Sequence, residues 1–276
     1  MNRLATAPAE SVGLGPAETT QLRAPSSSVE VVIPQYSRRK ILAVWAAAAM
    51  PMGILSWVVA RLLADAIGGP GALPRALLMS LTVGLVWQFV LTAILIYREQ
   101  RTLRWSVIRQ ALWLRAPRAP KTGKRGGRLW LVLLPLVVGF GVAHKVVPAL
   151  PHPLVRDQSV FLASHAGHLL LHGNWALLAL IAVLLVFNTL LGEELLFRGL
   201  LLPRMNGSFG RFDWLANGVL FTAYHIHEWW AMPQVILDTL ILVFPSKRYR
   251  SALIGIVVHS VQDVVVLAAV LVLVLK

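Results

Sequence analysis

Residues 175–201 read WALLALIAVLLVFNTLLGEELLFRGLL. The first half is the length of apolar helix that crosses a membrane, since about 20 residues at 1.5 Å each span a hydrocarbon core of about 30 Å. The second half keeps the apolar background but carries Glu193, Glu194 and Arg198. An ionisable group left at mid-bilayer costs roughly 2.5–3.5 kcal/mol on insertion scales. A helix with such a cluster must turn it toward protein or a watered cavity, so the same stretch sets the fold class and points to a site.

The rest of the chain agrees. Of 276 residues, 57% are hydrophobic and 14% charged, against about 25% charged in a soluble domain. A soluble globule, a disordered chain and a collagen-like chain are all excluded. With no cysteine, disulfides, thiolate catalysis and sulfur-held zinc are excluded too. Apolar runs at 41–63, 76–97, 129–150, 175–195, 214–231, 232–245 and 251–275 predict an all-α polytopic transmembrane bundle. Helices are required because lipid cannot satisfy open strand edges. The expected count is about seven membrane helices, eight if a re-entrant or split segment is present, around a polar cavity open toward the cytoplasmic half. Residues 1–37, rich in Ala, Pro, Ser and Thr, read as a disordered tail ahead of a membrane domain over 38–276.

The net charge of +14 reads as topology, with no nucleic-acid partner. Ten Arg and Lys stand between 98 and 128 against Glu99, and further clusters lie at Arg38–Lys40 and at Lys247, Arg248 and Arg250. By the positive-inside rule these face the cytoplasm, with the N-terminus inside. This describes a multi-pass protein of a cell membrane, expected to be a bacterial inner membrane. The 98–128 loop reads as a topology-setting segment lying on anionic lipid.

Polar residues collect in three places: GEELLFRG at 192–199, FTAYH at 221–225 running into His227 and Glu228, and HSVQD at 259–263. Glu194 and Arg198 are i,i+4 with the acid first, the better order for an ion pair. That leaves Glu193, turned about 100° around the helix, to face elsewhere. Phe221 and His225 share the i,i+4 spacing, so the ring can wall one side of the imidazole. His259 and Asp263 repeat it. Counted from the cytoplasmic ends of their spans, all three places reach a common depth. One unpaired carboxylate and two histidines in a watered membrane cavity suit peptide hydrolysis: the acid activates water, one imidazole assists, and the other donates to the oxyanion.

These motifs resemble the Glu-Glu-x-x-x-Arg, Phe-x-x-x-His and His-x-x-x-Asn/Asp motifs of the CPBP family of intramembrane proteases (the CAAX-protease and bacteriocin-processing, or Abi, group). The resemblance covers 175–273, with order and spacing intact; the first 130 residues match nothing in it. It implies a glutamic-type endopeptidase without an essential metal, acting on a membrane-associated or lipidated protein. Glu193 would activate water with His225 assisting, while His259 and Asp263 would form the oxyanion side. Glu194 and Arg198 would shape the site or hold substrate, with Phe221 as packing. The chain departs from the prenyl-protein members at 263, where they carry Asn. An ionised Asp263 cannot donate to an oxyanion, so it is either protonated or orients a charged His259.

Two other readings use the same residues. Glu193, His225 and His259 would together make a His₂Glu zinc site, and a non-catalytic scaffold, immunity-type protein or proton-relay transporter would keep the cavity without turnover. His165, His168 and His172 share a helical face but are expected on the outer side, as a polar edge rather than a metal site. His227, Glu228, Trp229 and Trp230 read as an interfacial girdle.

Overall fold

The computed structural model describes residues 31–276, so residues 1–30 of the expected tail lie outside the described residues, and 31–37 carry no helix. The described residues are all-helical, without a strand. Five helices are long and apolar enough to cross a membrane: α1 (Arg38–Ile67), α2 (Ala72–Gln100), α3 (Gly127–Val146), α4 (Trp175–Arg204) and α7 (Ala252–Leu275). Between the last two lies a bent pair, α5 (Asp213–Val235) and α6 (Thr239–Tyr249), whose axes turn by 77°. Among the described residues of this integral membrane protein there are five candidate spans, or six if the pair counts as one, fewer than the expected seven or eight.

The correction has a local cause. The run at 232–245 holds Pro233, Gln234, Asp238 and Pro245, and 11 residues of α6 rise only about 16 Å. The pair folds back on itself. A Cβ on Gly218 would sit 2.6 Å from the Thr239 Cβ, and Lys247 Nζ lies 3.5 Å from Asp213 Oδ2. The contacts run in reverse order along the two limbs, so 213 and 247 lie at the same end of the bundle.

That end gathers most of the basic residues. Arg38 Nε donates to the Ser208 carbonyl at 2.7 Å, the Arg118 amide to the Tyr249 carbonyl at 2.8 Å and the Ala252 amide to the Trp113 carbonyl at 2.9 Å. Ala111, Leu112 and Trp113 are buried, so the 98–128 loop is in part docked beneath the helix ends rather than simply laid on lipid. At the opposite end the Gly173 amide meets the Val274 carbonyl at 3.0 Å and the Leu150 amide meets the Trp230 carbonyl at 2.9 Å.

Side chains define the helix ends. The Ser37 hydroxyl accepts from the Lys40 amide to start α1, and Asn174 accepts from the Leu177 amide at 3.0 Å to start α4. Such caps replace the carbonyls that a first turn lacks. α4 runs beyond its expected end at 195 because residues 195–205 are buried in protein, among α1, α2 and α5, and not in lipid. That setting tolerates Arg204, fully buried, which donates to Glu99 Oε2 through Nε at 2.9 Å and Nη2 at 2.6 Å. Its Nη1 donates to the carbonyls of Ala111 and Leu200. Breaking such a buried pair from one side costs roughly 3–5 kcal/mol.

Candidate active site

The site begins with a change of helix pitch. Within α4, residues Val186–Glu193 and Leu195–Leu201 form wide π turns, which are rare and concentrate at functional positions. A wider turn rotates consecutive side chains by less than the 100° of an α-helix. Glu193 and Glu194 therefore both point into protein, at 3% and 0% exposure, toward different partners. Gly192 permits the turn: a Cβ there would stand 2.3 Å from the Phe187 carbonyl oxygen.

Glu193 faces α5. His225 Nε2 lies 3.8 Å from Glu193 Oε1, too far for a direct hydrogen bond and near enough for both atoms to reach one water. His225 Nδ1 donates to the Phe221 carbonyl at 2.9 Å. In the neutral ring this bond places the proton on Nδ1 and turns the Nε2 lone pair toward Glu193. The Phe221 ring packs edge-on against the His225 imidazole, centroids 4.7 Å apart, and its other side takes the Arg198 guanidinium at 3.8 Å. Arg198, Phe221 and His225 thus form one contiguous cluster.

Glu194 faces α7. Its Oε1 accepts from His259 Nδ1 at 3.2 Å and lies 3.3 Å from Arg198 Nη1. The carboxylate bonded to His259 is therefore Glu194. Among the described residues no hydrogen bond or ion pair joins Asp263 to His259, and Asp263 stands half-buried outside the cavity lining. Gly255, one turn before His259, makes the contact possible, because a Cβ there would meet Glu194 Oε2 at 2.3 Å.

Glu193, His225 and His259 line a cavity of about 450 Å³, within the usual range of small-ligand pockets. Its walls include Leu81 and Leu85 of α2 and Ile181 and Leu184 of α4, and it runs on to Ala149, Arg156 and Ser159. No lining residue comes from the basic loops at 98–128, 205–212 or 247–251. The cavity extends to the end of the bundle opposite them, whereas the sequence placed its opening in the cytoplasmic, basic half.

Several site residues were missed. Tyr224, fully buried, accepts at its hydroxyl from Gln88 Nε2 at 2.7 Å and stands beside Glu193. Gln88 sits in α2, outside every motif; a lone amide in an apolar run was its available signal, and the fold buries it fully. His144 and Asp238, 3.1 Å apart, also line the cavity. His227 and Trp230 are buried there too, which corrects the expected interfacial girdle. The helix breaks at Glu228 (φ −130°, ψ 51°) and turns these side chains inward. Trp230 stacks on His152, centroids 4.8 Å apart.

Among the described residues no three His, Asp or Glu side chains are grouped closely enough to hold a metal ion. This applies to Glu193, His225 and His259 and to His165, His168 and His172. His259 reaches Glu194 while His225 faces Glu193, which separates the two histidines between neighbouring carboxylates.

A family model described as Type II CAAX prenyl endopeptidase Rce1-like matches residues 174–265. All three motifs fall inside that range, and the match agrees with the resemblance to CAAX proteases. It supports a protease, a membrane CAAX endopeptidase, as the class of this region. No curated protein and no solved structure matches the chain.

Proposed function

We propose that the protein is a glutamic-type intramembrane endopeptidase, without an essential metal, that cleaves a prenylated or otherwise lipidated protein at the membrane. The observation that carries this reading is the 3.8 Å gap between Glu193 Oε1 and His225 Nε2, two groups that would share one water. Glu193 takes a proton from that water as its oxygen attacks the scissile carbonyl carbon. The C–N bond then breaks, and the proton passes to the departing amine through Glu193 or His225. His259, held at Nδ1 by Glu194, turns Nε2 toward the developing oxyanion; a single donor at that position is worth roughly 3–4 kcal/mol. Glu194 takes the orienting role expected of Asp263.

The basic end is proposed as the cytoplasmic one. Under that orientation the cavity extends from Glu193 toward the far side of the membrane. The test is Glu193→Gln in the purified full-length protein, assayed on a farnesylated peptide ending in Cys-aliphatic-aliphatic-X. Cleavage should be abolished while expression and membrane insertion are kept, and chelator should leave the wild-type rate unchanged. Wild-type turnover by Glu193→Gln would defeat the assignment, and activity lost to chelator and restored by zinc would favour the metal-dependent alternative.

A further inference from the structure

Arg156 ends the short turn Leu154–Arg156 between α3 and α4, outside the region that carries the motifs. It is only 9% exposed and lines the same cavity as Glu193 and His225. Its Nη2 donates to the carbonyl oxygen and the hydroxyl of Ser56 at 2.8 and 2.9 Å, and the guanidinium lies 3.9 Å from the Trp57 ring centroid. These contacts hold the group in place without neutralising it. Its Nε is buried with no hydrogen-bond partner.

No carboxylate among the described residues is within ion-pair distance of Arg156. Asp157, its neighbour in sequence, is 2.8 Å from His152 Nε2, and Glu228 acts on Arg156 only at longer range. A fixed guanidinium has a fork of donors matched to carboxylate geometry, and a buried charge is ordinarily paired. The absent counter-ion is therefore expected on whatever fills the cavity.

We propose that Arg156 binds a carboxylate of the peptide substrate, holding it at the end of the cavity away from Glu193. This rests on the peptidase reading above. The carboxylate is either the free C-terminus or an acidic side chain near it, and Arg156 is a specificity residue, remote from the reacting atoms.

The test measures binding and cleavage separately on the full-length protein in detergent. Three fluorescent farnesylated peptides are compared: a free C-terminal acid, the same peptide as its C-terminal amide, and an amide whose last residue is Asp. The wild type should bind at least one carboxylate-bearing peptide roughly ten- to a hundredfold more tightly than the plain amide, the range of a charge-assisted hydrogen bond. Preference for the free acid identifies the terminus as the source, and preference for the Asp amide identifies the side chain. Arg156→Gln should collapse the ratio and Arg156→Lys should keep part of it, a pattern that general misfolding does not produce. Equal binding of all three peptides by the wild type overturns the proposal, as does an undiminished ratio in Arg156→Gln. Intact discrimination in binding with no cleavage of any peptide counts against the hydrolase and leaves the Arg156 contact standing.

Discussion

Replacing Gly255 by alanine separates helix stability from site geometry. In a helix interior, Gly→Ala ordinarily stabilises by about 1 kcal/mol. Here the new Cβ would stand 2.3 Å from Glu194 Oε2 and 3.3 Å from Arg198 Cγ, so the carboxylate must retreat by about 1 Å to reach ordinary van der Waals separation. The His259 Nδ1–Glu194 Oε1 bond is already 3.2 Å, and an added 1 Å takes it beyond hydrogen-bonding range. A displacement of that size at a positioning group costs up to about a hundredfold in rate. Gly255→Ala should therefore lower kcat by roughly ten- to a hundredfold with KM little changed, and because overpacking a buried site costs about 1–3 kcal/mol against the helix gain, the melting temperature in detergent should be held or lowered. Shortening the acid should relieve the clash, so Glu194→Asp combined with Gly255→Ala should lose less than the product of the two single losses, a coupling that a double-mutant cycle reads directly. Full activity in Gly255→Ala, or simple additivity in the cycle, would refute the claim that Glu194 positions His259.

Three further outcomes are expected. Asp263→Asn should keep activity within a few-fold of wild type, since Asp263 makes no hydrogen bond to His259; a loss as deep as that of Glu193→Gln would return Asp263 to the catalytic group. The His152–Asp157 contact should make the segment joining α3 and α4 pH-sensitive. The His152 pKa is raised, first by its bond to the Leu150 carbonyl and, against the pull of burial, by Asp157; that stabilisation is full below about 6.5 and fades as pH rises through the shifted value. Asp157 is lowered in spite of burial by bonds from Ser159 and His152, so its share fades only in strong acid, and hydrogen-exchange protection at 150–160, taken relative to the intrinsic rate at each pH, should fall from pH 6 to 8 in wild type but stay level in His152→Gln. Because the chain has no cysteine, single cysteines report sidedness cleanly: in sealed inside-out vesicles an impermeant maleimide should label Lys121→Cys and not Val155→Cys, and equal labelling of both would overturn the proposed orientation.

The fold class and the three motifs were legible because each rests on local spacing. Apolar runs of span length and i,i+4 pairs need no tertiary information, and Glu193 with His225, Glu194 with Arg198 and Phe221 with His225 come together at the expected neighbours. The failures share a cause: each depends on where a helix departs from regular geometry. Counting 214–231 and 232–245 as separate spans assumed straight helices, whereas the chain bends at 236–238 and returns. Assigning Asp263 to His259 assumed that i,i+4 partners in one helix pair with each other. The π turns in α4 brought Glu194 to His259 first, and an α-helical wheel of 192–199 cannot show that. Gly255 and Gly218 were visible as glycines in apolar helices, but what each admits is set by another helix.

The family match ends where the motifs end, at 174–265, yet the proposed chemistry draws on the part of the chain before it. Glu193 is buried in a cavity of mixed polar and apolar lining, and an acid there is useful only if the polar contacts around it are fixed in number and direction. Tyr224 supplies one such contact, and Gln88 fixes it: an amide donor 2.7 Å from the phenol oxygen occupies an acceptor site and leaves the phenol proton for another partner, Glu193 being the carboxylate beside it. Since Gln88 belongs to α2, the N-terminal helices help set the hydrogen-bonding state of the acid as well as anchoring the protein. Gln88→Leu removes the donor with similar bulk, so Tyr224 becomes free to turn its proton elsewhere. Activity should fall roughly tenfold, the scale of one neutral hydrogen bond of about 1 kcal/mol plus the lost orientation, with a shifted pH–rate profile. Tyr224→Phe should fall by a similar factor, and the double variant by little more than either alone. If the two losses multiply instead, Gln88 acts on the site by some route other than the tyrosine.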